Sequence, residues 1–115
     1  MFNDWKEVIE ADTENKLKVS SHLLWDVNIS GLTPAKWQAM RFFVVQRVIE
    51  RGDESDFYAI FKLYGGFDGV KEIVKQIKAV LNPRDEAFVR TVFDLRKEDL
   101  ICYERKRLRD IYLNS

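Results

Sequence analysis

The chain has 115 residues, 46% of them hydrophobic and 13% aromatic, which excludes disorder as its default state and is enough for one core without staples. Nineteen basic and nineteen acidic side chains cancel, so strong nonspecific affinity for nucleic acid or anionic lipid is excluded. The charge is uneven: residues 1–57 carry 7 basic and 10 acidic groups, and residues 58–115 carry 12 and 9.

Asn3 to Ala11 reads as a short helix, capped by Asn3, with Phe2, Trp5, Val8 and Ile9 on one face. Asp12 to Asn15 is polar and turn-forming. Residues 16–20 alternate polar and apolar, and fit an extended arm or a short strand equally well. The apolar run His22, Leu23, Leu24, Trp25 anchors this segment to the core, and Asp26 to Leu32 is a loop.

Thr33 to Gly52 reads as a central helix. Thr33 is a good cap, and Pro34 suits the first helical position, where its missing N–H costs nothing. Gly52 is expected to end the helix in a left-handed conformation. Projected at about 100° per residue, Trp37, Met40, Phe42, Val44, Val45, Val48 and Ile49 cover more than half the circumference, which calls for neighbours on two sides. Lys36, Phe43, Arg47 and Glu50 fall on the remaining face. Arg41 projects inside the apolar arc, so its guanidinium needs a carboxylate, from Asp26 or Asp56.

Asp53 or Ser55 caps the next helix, with Phe57, Ile60, Phe61 and Tyr64 in one stripe, and Gly65-Gly66 ends it. Asp68 caps a helix running to about Leu81, with Val70, Ile73, Val74, Ile77 and Leu81 on one face. Asn82-Pro83 starts another, whose buried side is Phe88, Val89, Val92 and Phe93, and Asp85 suits its positive end. The chain breaks near Leu95 to Lys97. The tail from Glu104 continues as a basic helix. The expectation is one all-α domain over residues 1–115: a compact bundle of five to six short helices around the central helix 33–51. Its parts are an N-terminal helix and arm (1–23), a core (24–103) and a basic tail (104–115).

No phosphate loop, dinucleotide turn, nucleophile elbow or metal spacing occurs. His22 is the single histidine and reads as partly buried beside the Leu-Leu-Trp anchor. Cys102, between Ile101 and Tyr103, reads as a small core residue and has no partner for a disulfide within the chain. No enzyme, no cofactor and no metal follow from these residues. With no run of eighteen apolar residues, the reading is a cytoplasmic protein with no membrane span.

Two binding surfaces remain. A protein partner would meet apolar residues the core does not need, such as Phe43, together with the acidic segment Asp53, Glu54 and Asp56. Nucleic acid would meet Lys71, Lys75 and Lys78 on the second helix of a helix-turn-helix-like pair over 54–81, with Arg105, Arg107 and Arg109 of the tail. That fit departs from the motif at two points. Phe61 stands where a small residue normally lets the helices approach, and Lys71 stands where an apolar one is buried. A solvated lysine face is the plainer account.

Four stretches carry a resemblance: Leu24-Trp25-Asp26-Val27-Asn28, Arg47-Val48-Ile49-Glu50-Arg51-Gly52, Tyr64-Gly65 and Ile101-Cys102-Tyr103. Through them the chain resembles a small family of bacterial helical proteins classed as a domain of unknown function. Asn28, where an Asp is more usual, and the extra Gly66 depart from its pattern. The resemblance implies no catalytic residues. Members are often encoded beside nucleotidyltransferase-type toxins of abortive-infection systems, which implies an antitoxin-type partner or small regulator.

Overall fold

The computed structural model describes residues 2–77 and 81–100. Among these residues the fold is all-helical and contains no strand. Helix α1 spans Trp5–Ala11, α2 Pro34–Ala39, α3 Arg41–Arg51, α4 Glu54–Leu63, α5 Gly66–Lys75 and α6 Pro83–Phe93. Three 3₁₀ turns, Ser21–Leu24, Ile29–Gly31 and Lys97–Asp99, interrupt the connections. The arm over 16–20 is irregular, with Val19 buried. No helix among the described residues is long and apolar enough to cross a membrane.

Three helix starts form as their local sequence dictates. Thr33 accepts the Lys36 N–H at 3.2 Å with Pro34 behind it, and Asn82 accepts the Asp85 N–H at 2.8 Å with Pro83 behind it. Asp53 accepts the Asp56 N–H at 3.1 Å, while Asp56 returns the bond to the Asp53 N–H, closing a capping box. Two other caps differ from expectation. Asp4, and not Asn3, occupies the cap position of α1, and its side chain makes no cap bond. Helix α5 starts at Gly66, behind Gly65, ahead of Asp68. Gly65 and Gly66 sit at φ 84 and 82, a left-handed pair that turns α4 into α5 within two residues.

The stretch read as one central helix is two. It breaks at Met40, between α2 and α3. A continuous helix would give the carbonyls of Trp37 and Gln38 to backbone N–H groups one turn on. Here the Tyr64 hydroxyl donates to the Trp37 carbonyl at 2.9 Å, and Arg41 Nη1 donates to the Gln38 carbonyl at 2.9 Å. Side chains have taken the place of the helical bonds. Gly52 also ends α3 differently from the expectation. Its φ of −76 and ψ of 161 are extended, and glycine is required by crowding: a Cβ there would lie 2.7 Å from the Val48 carbonyl oxygen. Helix α5 ends at Lys75 and not near Leu81; Gln76 and Ile77 close in i→i+3 bonds to Ile73 and Val74.

The core gathers on α3 and α4. Helix α3 buries Val44, Val45, Val48 and Ile49, and α4 buries six consecutive residues, Asp56 to Phe61. Phe61 is the hub of a ring cluster, with the rings of Phe2, Trp5, Tyr58, Phe67 and Phe93 at centroid distances of 5.5 to 6.5 Å. Phe2 joins it at a φ of 63, a left-handed backbone that this packing holds in place.

Asp12 ties the end of α1 to α4. It accepts the Lys16 and Leu17 N–H groups, and Lys62 Nζ at 2.6 Å. The Lys62 ammonium, helped by the Leu17 amide, holds the Asp12 carboxyl down at about 2 from an ordinary 3.8.

Val48→Asp buries an unpaired charge and is expected to remove the cooperative unfolding transition altogether, checked by circular dichroism. Asp56→Ala takes the acceptor from the Ser20 amide and hydroxyl and the Asp53 amide and is expected to lower stability by about 2 kcal/mol in urea unfolding. Because the Asp12 carboxyl is depressed on folding, its contribution is present above 3.8 and lost as pH falls toward 2. NMR titration is expected to return Asp12 toward 3.8 in Lys62→Met, and that variant should lose less stability over the same acid interval.

Candidate functional site

Helix α4 begins with the acidic residues singled out for a partner. Asp53 and Glu54 are exposed, and the Ser55 hydroxyl bond, then the Asp56 amide, hold the Asp53 carboxyl below its usual range. Asp56 is withdrawn from any partner: it is 0% exposed. Its Oδ1 accepts both the Ser20 N–H at 2.8 Å and the Ser20 hydroxyl at 2.7 Å. A fully covered carboxylate committed to Ser20 and to the Asp53 amide cannot also face outward, so the expectation for Asp56 is corrected. The signal was present in the sequence, since Asp53-Glu-Ser-Asp56 spells the reciprocal cap.

Glu54 looks instead toward α1. The Tyr58 hydroxyl lies 2.7 Å from Asp4 Oδ1 and 3.3 Å from Glu54 Oε1. The Asp4 bond, burial and the Glu54 charge push that phenol up to about 12. These groups rim a groove of about 520 Å³ whose walls are Phe2, Phe57 and Phe88.

A second surface lies at the turn before the Asp26 loop. The guanidinium expected of Arg41 is supplied by Arg47. Its Nη1 donates to the Leu23 carbonyl at 3.1 Å, its Nη2 reaches Asp26 Oδ2 at 3.2 Å, and its centre lies 4.5 Å from the Phe43 ring centroid. Arg41 is the first residue of α3, and its side chain turns back to Gln38 and over the Phe42 ring. Arg47 starts at the edge of the apolar face, where a long stem reaches the neighbouring turn. Leu23 and Leu24 are buried as expected of the anchor, but Trp25 is not: it is 73% exposed. His22 is exposed too. With three residues per 3₁₀ turn, His22 and Trp25 stand three apart and share the outward side, while Leu23 and Leu24 turn to the core. Phe43, proposed for a partner, is half-buried beneath Arg47.

On α5, Lys71 and Lys75 are half-buried one turn apart, opposite Val70, Ile73 and Val74, and Lys75 pairs with Glu72 at 3.3 Å. Lys78, Arg105, Arg107, Arg109 and Cys102 lie outside the described residues.

Residues 19–74, just under half of the chain, match the model of DUF6922, a family of unknown function. The matched span runs from the buried Val19 to Val74 of α5. It encloses Trp25, Asp26, Phe43, Arg47 and the capping box, and leaves out Phe2, Asp4 and α6. Three of the four landmark stretches fall inside it. No curated protein and no solved structure matches the chain.

Proposed function

We propose that this chain is a non-enzymatic protein-binding module that engages its partner through the Trp25 turn. The observation behind this reading is the display of Trp25. A tryptophan left 73% exposed contributes little to the core, yet the turn that carries it is fastened by the Arg47 bonds to Leu23 and Asp26. Tryptophan and arginine dominate the energetics of protein interfaces. A turn already fixed loses little freedom on binding, so more of the contact energy is kept. Phe43 beneath Arg47 extends the apolar part of the surface. The resemblance drawn from the sequence makes a toxin enzyme of a two-component pair the first partner to test, with this chain as its antitoxin-type counterpart.

The test is affinity capture from the native cytosol, with and without nuclease, read by mass spectrometry. A stoichiometric protein partner is expected to survive nuclease and to be lost in Trp25→Ala, with the melting temperature unchanged. Equal recovery by Trp25→Ala would remove the turn from the reading. Recovery of nucleic acid, with proteins lost on nuclease treatment, would replace the module with a nucleic-acid-binding regulator working through Lys71 and Lys75.

A further inference from the structure

The groove beside α4 is electrostatically incomplete. Asp4 and Glu54 both approach one hydroxyl, that of Tyr58. A phenol has one proton to donate, and the shorter bond gives it to Asp4. Glu54 faces the same oxygen without a donor of its own there. The ion pairs formed among the described residues engage neither carboxylate. Two negative charges are thus held at one rim by a single neutral group, and Asp53 adds a third on the same rim.

The walls favour the same sign of ligand. The Phe57 and Phe88 rings meet with centroids 5.5 Å apart and planes tilted by 56°. Ring faces are negative and attract cations. The groove also continues. Gly52, Phe57 and Phe88 are shared with an adjoining hollow of about 430 Å³ in which Glu50, Arg51, Arg84 and Asp85 balance in charge. The two form one trough over the α3–α4 turn, with its negative end at Asp4 and Glu54. A further hollow, about 600 Å³ beside Leu17, Trp37 and Leu63, carries lysines in place of carboxylates: Lys62, held by Asp12 and Asn15, and Lys18.

We infer that the trough is the docking site for an arginine-bearing segment of a protein partner, with a guanidinium placed between Asp4 and Glu54 and its plane against the half-buried Phe88 ring. Arginine suits it better than lysine. Its planar fork can serve two carboxylates at once and stack on a ring, whereas an ammonium is a strongly hydrated point charge. The inference rests on the chain being a protein-binding module but not on Trp25. It also uses Phe2, Asp4 and Phe88, all outside the span that matches the family of unknown function.

The test uses the full chain and a fluorescein-labelled hexa-arginine peptide, with anisotropy for affinity and ¹H–¹⁵N spectra for location. The peptide is expected to shift the amides of residues 2–5 and 52–58. Affinity is expected to fall about tenfold in the double variant D4N/E54Q, and hexa-lysine to bind several-fold more weakly than hexa-arginine. The amide replacements keep an oxygen facing Tyr58, so the fold is retained, as an unchanged near-ultraviolet circular dichroism spectrum would verify. Equal affinity in D4N/E54Q, shifts confined to another surface, or no binding at millimolar peptide would each overturn the site. Equal binding of hexa-lysine would overturn the ring clamp. A defined peptide needs no natural partner, so these outcomes are independent of whether Trp25→Ala abolishes capture.

Discussion

The Asp56 carboxylate accepts three donors from two distant stretches of chain, in an interior that offers it no water. Oδ1 takes the amide and hydroxyl of Ser20, and Oδ2 takes the amide of Asp53. Such a group is tolerated inside only when its oxygens are satisfied, so the three bonds stand or fall together. They fix where the arm meets α4. Ser20 gives up its role as a side-chain cap for the turn that follows it, and that turn then buries Leu23 and Leu24 and turns Trp25 outward. On the other side the same carboxylate sets the start of α4, and with it Glu54 and the mouth of the aromatic trough. Both proposed contact surfaces descend from this one anchor.

What was legible in the sequence was what local chemistry decides. The Thr33-Pro34 and Asn82-Pro83 starts, the Asp53 cap, the apolar stripe of α4 and the all-helical class each depend on residues within a turn or two. What was illegible depends on partners far along the chain. The break at Met40 requires Tyr64, whose hydroxyl bonds a carbonyl 27 positions away. The Asp53–Asp56 pairing is written locally, but the Ser20 donors that complete the burial of Asp56 lie 36 positions away. Arg47 takes the place expected for Arg41 because the Leu23 carbonyl lies within its reach, 24 positions away. A helical projection ignores position along the axis: Arg41 projects between Val48 and Val45 but is the first residue of α3, from which its side chain turns back to Gln38.

The site residues divide in the same way. Asp53 and Glu54 lie on the surface as their polarity suggests. Periodicity in a four-residue run could not separate Trp25 from Leu23 and Leu24, because 3₁₀ and α turns distribute such a run differently. Asp4 could not have been joined to Glu54 at all without Tyr58 between them. Rigidity underlies both surfaces. The turn is braced by a guanidinium and the trough is walled by Phe57 and Phe88, joined to the Phe61 cluster through Phe2, so each is presented on elements that the core already holds in place.

The placement of the three tryptophans has an optical consequence. Trp5 leans on Phe61 and on Gly66, where a Cβ would come within 2.7 Å of its Cζ3, whereas Trp37 is half-covered and Trp25 stands in water. An excited indole emits at longer wavelength the more freely water can reorient around it. The chain therefore carries two partly covered emitters and one in solvent, and a soluble quencher reaches Trp25 first. A protein that covers the Trp25 turn shifts and shields one emitter while leaving the signal of the folded interior where it was.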